Sequence, residues 1–103
     1  MTHRTRLPNR CFAQTLNFEV EGQKYVTAIG FFSNGCLAEM FINSSGKPGS
    51  TADVNAADGA VAVSLALQYG CPADVLQKAM KRNTDGSAQG PLGAALDEAL
   101  KET

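Results

Sequence analysis

The segment Ser50 to Gly70, which reads STADVNAADGAVAVSLALQYG, decides the fold of this chain. Its apolar residues recur at helical spacing and form two stripes, so we predict one long helix from about Thr51 to Tyr69. The stripes consist of Val54, Ala57, Val61 and Leu65, and of Ala56, Ala60, Val63 and Leu67. A helix that is apolar around most of its circumference must be covered on more than one side.

Both ends of this helix carry recognisable signals. Ser50-x-x-Asp53 resembles a capping box in which Asp replaces the usual Glu, and it marks the start. Gly70 is suited to the left-handed conformation that commonly ends a helix. Before the helix, the loop from residue 43 to 50 is rich in Ser and Gly.

Upstream of this loop the apolar spacing changes to two, as in Leu16-x-Phe18-x-Val20. We predict three strands, at about 11–20, 24–32 and 36–42. Short turns at 21–23 and 33–35 join them, and the second contains the Asn-Gly pair that favours tight hairpins. Such strands form an antiparallel β-meander.

Two shorter helices are predicted downstream of Gly70. Pro72 suits the first turn of a helix that runs to about Lys81, and Gly90-Pro91 opens a last helix that runs to about Lys101. The residues expected to face inward are Val75, Leu76 and Ala79 in the former, and Leu92, Ala95, Leu96 and Ala99 in the latter. The predicted fold class is therefore α+β: a meander of about three strands, a long central helix and two shorter helices.

The chain has 103 residues, enough for one domain with a single core. We expect a basic arm over residues 1–10, which carries Arg4, Arg6 and Arg10, and one domain over 11–103. A formal net charge of −1 gives no indication of a nucleic acid or membrane partner. No apolar run reaches the ~18 residues of a membrane span, and no signal-peptide pattern opens the chain, so we predict a cytoplasmic protein.

The side chains that commonly carry chemistry are few. Cys11, Cys36 and Cys71 show no metal-binding or redox spacing, and we interpret them as three reduced thiols. His3 is the single histidine and lies in the predicted arm, away from any nucleophile. The sequence therefore predicts no metal, no cofactor and no catalytic residue, and favours a binding module over an enzyme.

The strongest candidate site is the segment GKPGST, residues 46–51, which leaves a strand and enters the long helix. Backbone N–H groups at a helix start favour anions. Lys47 adds a positive charge, Gly49 carries no side chain that would obstruct a ligand, and Ser50 and Thr51 add hydroxyl donors. The order of residues is not that of a P-loop. The alternative is a glycine-bearing turn with an ordinary cap, and Asp53 would compete with an incoming anion.

Arginines of the arm form the second candidate. Arg6 and Arg10, from the same or a neighbouring chain, could fork a phosphate and complete the pocket at residues 46–51. The alternative is an ordinary solvated chain end.

Three stretches resemble the TSCPD domain, which occurs at the C-terminus of adenosylcobalamin-dependent ribonucleotide reductases. They are AEMFI (residues 38–42), KPGST (47–51) and SLALQYGCP (64–72), and the likeness covers about residues 12–80. The chain also resembles short stand-alone TSCPD proteins of bacteria and their prophages. These share RLPNR at residues 6–10 and GPLGAALD at residues 90–97.

The resemblance supports the α+β prediction, but it does not carry over the reductase reaction. The barrel that binds cobalamin and holds the radical cysteine cannot fit in 103 residues, and the redox cysteine pair of the reductase tail is missing. We therefore expect a small non-catalytic module that binds a phosphorylated or nucleotide ligand. A prophage-type protein of this kind could sequester a cyclic nucleotide signal. The alternative is an accessory or protein-interaction subunit related to the reductase domain.

The apolar circumference of the long helix also predicts self-association. One small sheet and two short helices offer too little surface to cover the long helix on every apolar side. A homodimer or higher symmetric oligomer that uses the helix at 51–69 is the economical way to cover the remainder.

Overall fold

The computed structural model describes residues 13–44 and 50–101. Within these residues three strands precede three helices, which confirms the predicted α+β architecture. The elements are β1 (Ala13–Val20), β2 (Gln23–Phe31), β3 (Leu37–Ser44), α1 (Thr51–Gln68), α2 (Ala73–Ala79) and α3 (Pro91–Leu100). Each predicted element is present, and its ends lie within two residues of those expected.

The sheet is an antiparallel meander in the order β1-β2-β3. Between β1 and β2, Glu21 and Gly22 both have positive φ, at 52° and 78°, as a two-residue hairpin turn of type I′ requires. Between β2 and β3, Gly35 has φ 87°, and the Asn34 side chain accepts the Cys36 N–H at 3.0 Å. The predicted Asn-Gly turn therefore forms, and an Asx-type hydrogen bond stabilises it.

Alternation along the strands separates a buried face from an open one. On β2, Tyr25, Thr27 and Ile29 are buried, and the last two pair across β3 with Ile42 and Met40. The helices cover this face, which we call the inner face, and it forms the core with the buried residues of α1 and α3.

Helix α1 is fastened to β3 by two buried side chains. The Ser64 hydroxyl accepts the Met40 N–H at 2.8 Å and lies at 2.8 Å from the Met40 carbonyl oxygen and 2.9 Å from that of Ala60. One turn further on, the Gln68 amide donates to the Ala38 carbonyl at 3.2 Å. These bonds satisfy backbone groups on the free edge of β3, where a fourth strand would otherwise pair. They also fix α1 antiparallel to β3.

The ends of α1 follow the sequence signals. The Ser50 hydroxyl accepts the Asp53 N–H at 3.2 Å, and the Asp53 carboxylate accepts the Ser44 N–H at 2.9 Å. At the other end, Gly70 has φ 100°, and the Cys71 N–H bonds to the Ala66 carbonyl at 2.9 Å. The cap and the left-handed glycine are both as predicted.

The two apolar stripes of α1 differ in burial. The second stripe is buried against the sheet, with exposed fractions of 0–5%; its members are Ala56, Ala60, Val63 and Leu67. In the first stripe Val54, Val61 and Leu65 are 39–48% exposed, and Tyr69 extends the exposed row. The described residues therefore cover one apolar side of α1 and leave another open.

The predicted inward face of α2 is confirmed for Leu76 and wrong for Val75 and Ala79. Val75 is 52% exposed and Ala79 is also exposed, while Leu76 packs against the core. The Gln77 amide donates to Asp97 of α3 at 2.8 Å, which turns that side of α2 toward α3. Val75 lies two residues, or about 200°, away and therefore faces solvent.

Helix α3 sits on β1 and α1 with the predicted face inward. Ala95, Leu96 and Ala99 are fully buried. Gly93 in the first turn of α3 allows close packing, because an added Cβ would lie 3.1 Å from Met80 Cβ and 3.2 Å from Ala88 Cβ. This contact brings the start of α3 against the segment that follows α2.

We expect Ser64→Ala to destabilise the protein by about 1–3 kcal/mol, because it leaves the buried Met40 N–H without its acceptor. Urea denaturation measures the loss. The control is Ser33→Ala in the exposed β2–β3 turn, which should change the free energy of unfolding by less than about 0.5 kcal/mol. Equal midpoints for the two variants would contradict the role of Ser64.

Arg82 and Asp97 should make stability dependent on acid pH. The guanidinium contacts both carboxylate oxygens, at 2.5 and 2.8 Å, and this hydrogen bonding lowers the pKa of Asp97. The stabilisation is fully present above the ordinary carboxyl pKa of about 4 and is lost as the pH falls through the lower folded value. Asp97→Asn should therefore lower Tm by a few degrees at pH 7, and the difference from wild type should shrink below about pH 4. Asp58→Asn on the exposed surface is the control, and a pH-independent difference would contradict the assignment.

Candidate functional site

The start of α1 holds the two predicted site residues that the structure describes. Ser50 is the N-cap, half-buried, and Thr51 is exposed at the first helical position. The Thr51 N–H has no hydrogen-bond partner among the described residues. Arg6, Arg10, Lys47 and Gly49 lie outside the described residues, so their place in the predicted site stays a prediction.

Asp53, the residue expected to compete with an anion, joins α1 to β3 by a hydrogen bond. Its Oδ1 accepts the Ser44 N–H at the end of β3, so the carboxylate is directed toward the strand. The negative charge stabilises the helix start, and the hydrogen bond joins α1 to the sheet. The exposed side of the first turn, where Thr51 lies, is left without an acidic group of that turn.

A cavity of about 410 Å³ opens one turn beyond Thr51. It lies between α1 and the start of α3, and its lining consists of Tyr25, Asn55, Ala56, Met80, Lys81 and residues 90–93. Asn55 follows Thr51 by four residues, so both lie on the same face of α1. Among the described residues of its lining there is no carboxylate and one ammonium group, that of Lys81.

The start of α3 is the part of this region that the sequence interpretation missed. Gly90 is the N-cap and has no side chain to cap the helix, Pro91 occupies the first turn, and that turn contains no acidic residue. The signal was present in the sequence, since Gly-Pro supplies no capping oxygen for the amides of Leu92 and Gly93. Only the fold shows that this helix start faces a cavity beside α1.

A larger cavity, of about 740 Å³, has the opposite electrostatic character. Its described lining residues include the carboxylates of Glu19, Glu21, Asp97 and Glu98 and one ammonium group, that of Lys101. Arg82 pairs with Asp97 and Lys101 pairs with Glu98, but Glu19 and Glu21 still make this lining negative, so it does not suit a phosphate.

Cys36 and Cys71 line a third cavity, of about 560 Å³, at the other end of α1. Both are free thiols, Cys36 exposed and Cys71 half-buried, while Cys11 lies outside the described residues. Within residues 13–44 and 50–101, no three His, Cys, Asp or Glu side chains are grouped so as to hold a metal ion.

No family model, curated protein or solved structure matches this chain. In the described part of the chain, no helix combines the length and apolar character needed to cross a bilayer. Any functional assignment therefore depends on the chemistry of the helix starts and of the cavity beside them.

Proposed function

We propose that this protein is a small, non-catalytic module that binds a phosphorylated or nucleotide ligand at the start of α1. The observation that supports the proposal best is the open first turn of that helix. Thr51 is exposed there, and its N–H has no partner among the described residues, while the acidic group of the turn, Asp53, is directed toward β3. An exposed helix start with free N–H groups is a favourable position for a phosphate.

Side chains outside the described residues would complete this site. Lys47 precedes the cap by three residues, and Gly49 allows a close approach of the backbone to the ligand. Arg6 and Arg10, from the same or a neighbouring chain, would each offer a guanidinium fork to phosphate oxygens. The resemblance to stand-alone TSCPD proteins of prophages extends the proposal to sequestration of a cyclic nucleotide signal.

A homodimer or higher oligomer through α1 is the second part of the proposal. The exposed stripe of α1, consisting of Val54, Val61, Leu65 and Tyr69, is ~22 Å long. At 39–48% exposure its four side chains leave ~300 Å² uncovered, more than a third of the ~800 Å² per partner in a stable dimer. Helical spacing along the stripe suits packing against the same stripe of a second copy about a two-fold axis.

Binding to the α1 start should weaken when its cations are removed. We expect Lys47→Ala and Arg10→Ala each to raise the Kd of a bound nucleotide several-fold, because each removes a charge-assisted contact to phosphate. Calorimetry against a panel of nucleotides, cyclic nucleotides included, measures this. Lys78→Ala on the exposed surface of α2 is the control. Added salt should weaken binding to the wild type.

An unchanged affinity in both the Lys47 and the Arg10 variant would contradict this site. Failure of every nucleotide in the panel to bind the wild type would contradict the function itself.

Self-association should depend on Leu65. Since this side chain is 39% exposed, Leu65→Asp should leave the fold intact and separate the protomers by placing a charge in the apolar interface. Light scattering at high micromolar concentration measures the mass. Phe41→Thr, on the opposite face of β3, removes a comparably exposed apolar side chain and should leave the oligomer intact.

A wild-type monomer at high micromolar concentration would contradict the homodimer. It would favour the alternative function, an accessory subunit that docks through the same stripe onto a different protein.

A further inference from the structure

We propose that the cavity of about 410 Å³ between α1 and α3 is a binding site for an organic anion with an apolar body, the anionic group lying at the start of α3. This inference rests on the proposed function in one respect, namely that the anion is a phosphate. The volume lies within the range of small-molecule sites.

The start of α3 supplies donors for the anionic group. Its first turn has no side-chain cap and no acidic residue, and Pro91 has no N–H to offer. The N–H groups of Leu92 and Gly93 have no partner among the described residues. Both point from the positive end of a ten-residue helix, where an anion is stabilised.

Tyr25 is an independent indication of a ligand. The residue is 5% exposed, and no described residue hydrogen-bonds to its hydroxyl. All side-chain N and O atoms that are sealed from solvent in the described part have partners, so the oxygen of this hydroxyl must reach open space. Alternation along β2 directs the ring to the inner face, where Tyr25 lines the cavity together with Ala56 and Leu92. The ring of Tyr25 is buried, whereas its hydroxyl borders open space with no partner among the described residues, so it can donate to or accept from a polar atom of a ligand.

The side chains that line the cavity suit the apolar body of the ligand. Ala56, Met80 and Leu92 contribute apolar surface that suits a ring-sized body. Lys81 is exposed and is the one cationic side chain among the described residues that line the cavity. Since the lining residues within 13–44 and 50–101 include no carboxylate, they offer no counter-charge to a metal cation or a polyamine.

The cavity and the α1 start can serve one ligand. Asn55 borders the cavity and lies on the same face of α1 as Thr51, one turn of about 6 Å away. An organic phosphate that occupies the cavity would therefore meet the positive ends of two helices. The two sites are separable by mutation, because Tyr25 and Lys81 belong to the cavity and Lys47 belongs to the loop before α1.

Calorimetry of the full chain with adenosine monophosphate, adenosine and inorganic phosphate tests the inference. Tyr25→Phe removes only the hydroxyl and should raise the Kd of adenosine monophosphate roughly three- to tenfold, as should Lys81→Gln. The matched controls are Tyr69→Phe on the exposed stripe of α1 and Lys78→Gln on α2, and both should bind like the wild type. Adenosine and inorganic phosphate should each bind more weakly than adenosine monophosphate, since each satisfies only one part of the site.

The outcomes separate this inference from the proposed function. Wild-type affinity in both Tyr25→Phe and Lys81→Gln, with loss in Lys47→Ala, would overturn the cavity and leave the proposed function standing. If no phosphate-bearing probe binds the wild type, the proposed function fails, and benzoate then tests the cavity alone. Benzoate-induced shifts of the Leu92 and Gly93 amide resonances that are absent in Tyr25→Phe would support the cavity, and their absence in the wild type would overturn it.

Discussion

Ser64 and Gln68 of α1 form hydrogen bonds with the free edge of β3, and these bonds set the position of the long helix on the sheet. An edge strand presents backbone donors and acceptors that need partners, and here two side chains of a helix provide them at Met40 and Ala38. Because the two residues lie one turn apart on α1, they fix both its direction and its position along the strand. In this position the stripe of small and branched residues of α1 is buried against the sheet.

The position of α1 on β3 determines which residues lie beside each end of the helix. With α1 antiparallel to β3, the helix starts beside Ser44, where Asp53 bonds to the strand end, and it ends beside the β2–β3 turn. Tyr25 pairs with Ser44 across the sheet, so its ring lies near the first turns of α1. Ser64 and Gln68 belong to the stretch SLALQYG that carries much of the TSCPD resemblance. That stretch is therefore explained by its part in the fold and assigns no reaction.

The sequence predicted the local features well because their causes are local. Glu21-Gly22, Asn34-Gly35, the Ser50 cap and the Gly70 terminus each depend on a few neighbouring residues, and each forms as expected. The orientation of α2 was missed, since it depends on Gln77 and Arg82 meeting Asp97 some fifteen to twenty residues away. The cavity at the α3 start was missed for the same reason. Gly90-Pro91 showed an uncapped helix, but only tertiary packing places Tyr25 beside it.

In the proposed site, the starts of α1 and α3 flank one cavity that binds an organic phosphate. A crystal structure of the protein grown with adenosine monophosphate is the decisive experiment. We expect the phosphate within hydrogen-bond distance of the Leu92 and Gly93 amides, with the adenosine against Ala56, Met80 and the Tyr25 hydroxyl. A nucleotide bound at the acidic cavity of Asp97 and Glu98, or in the cavity of Cys36 and Cys71, would contradict it.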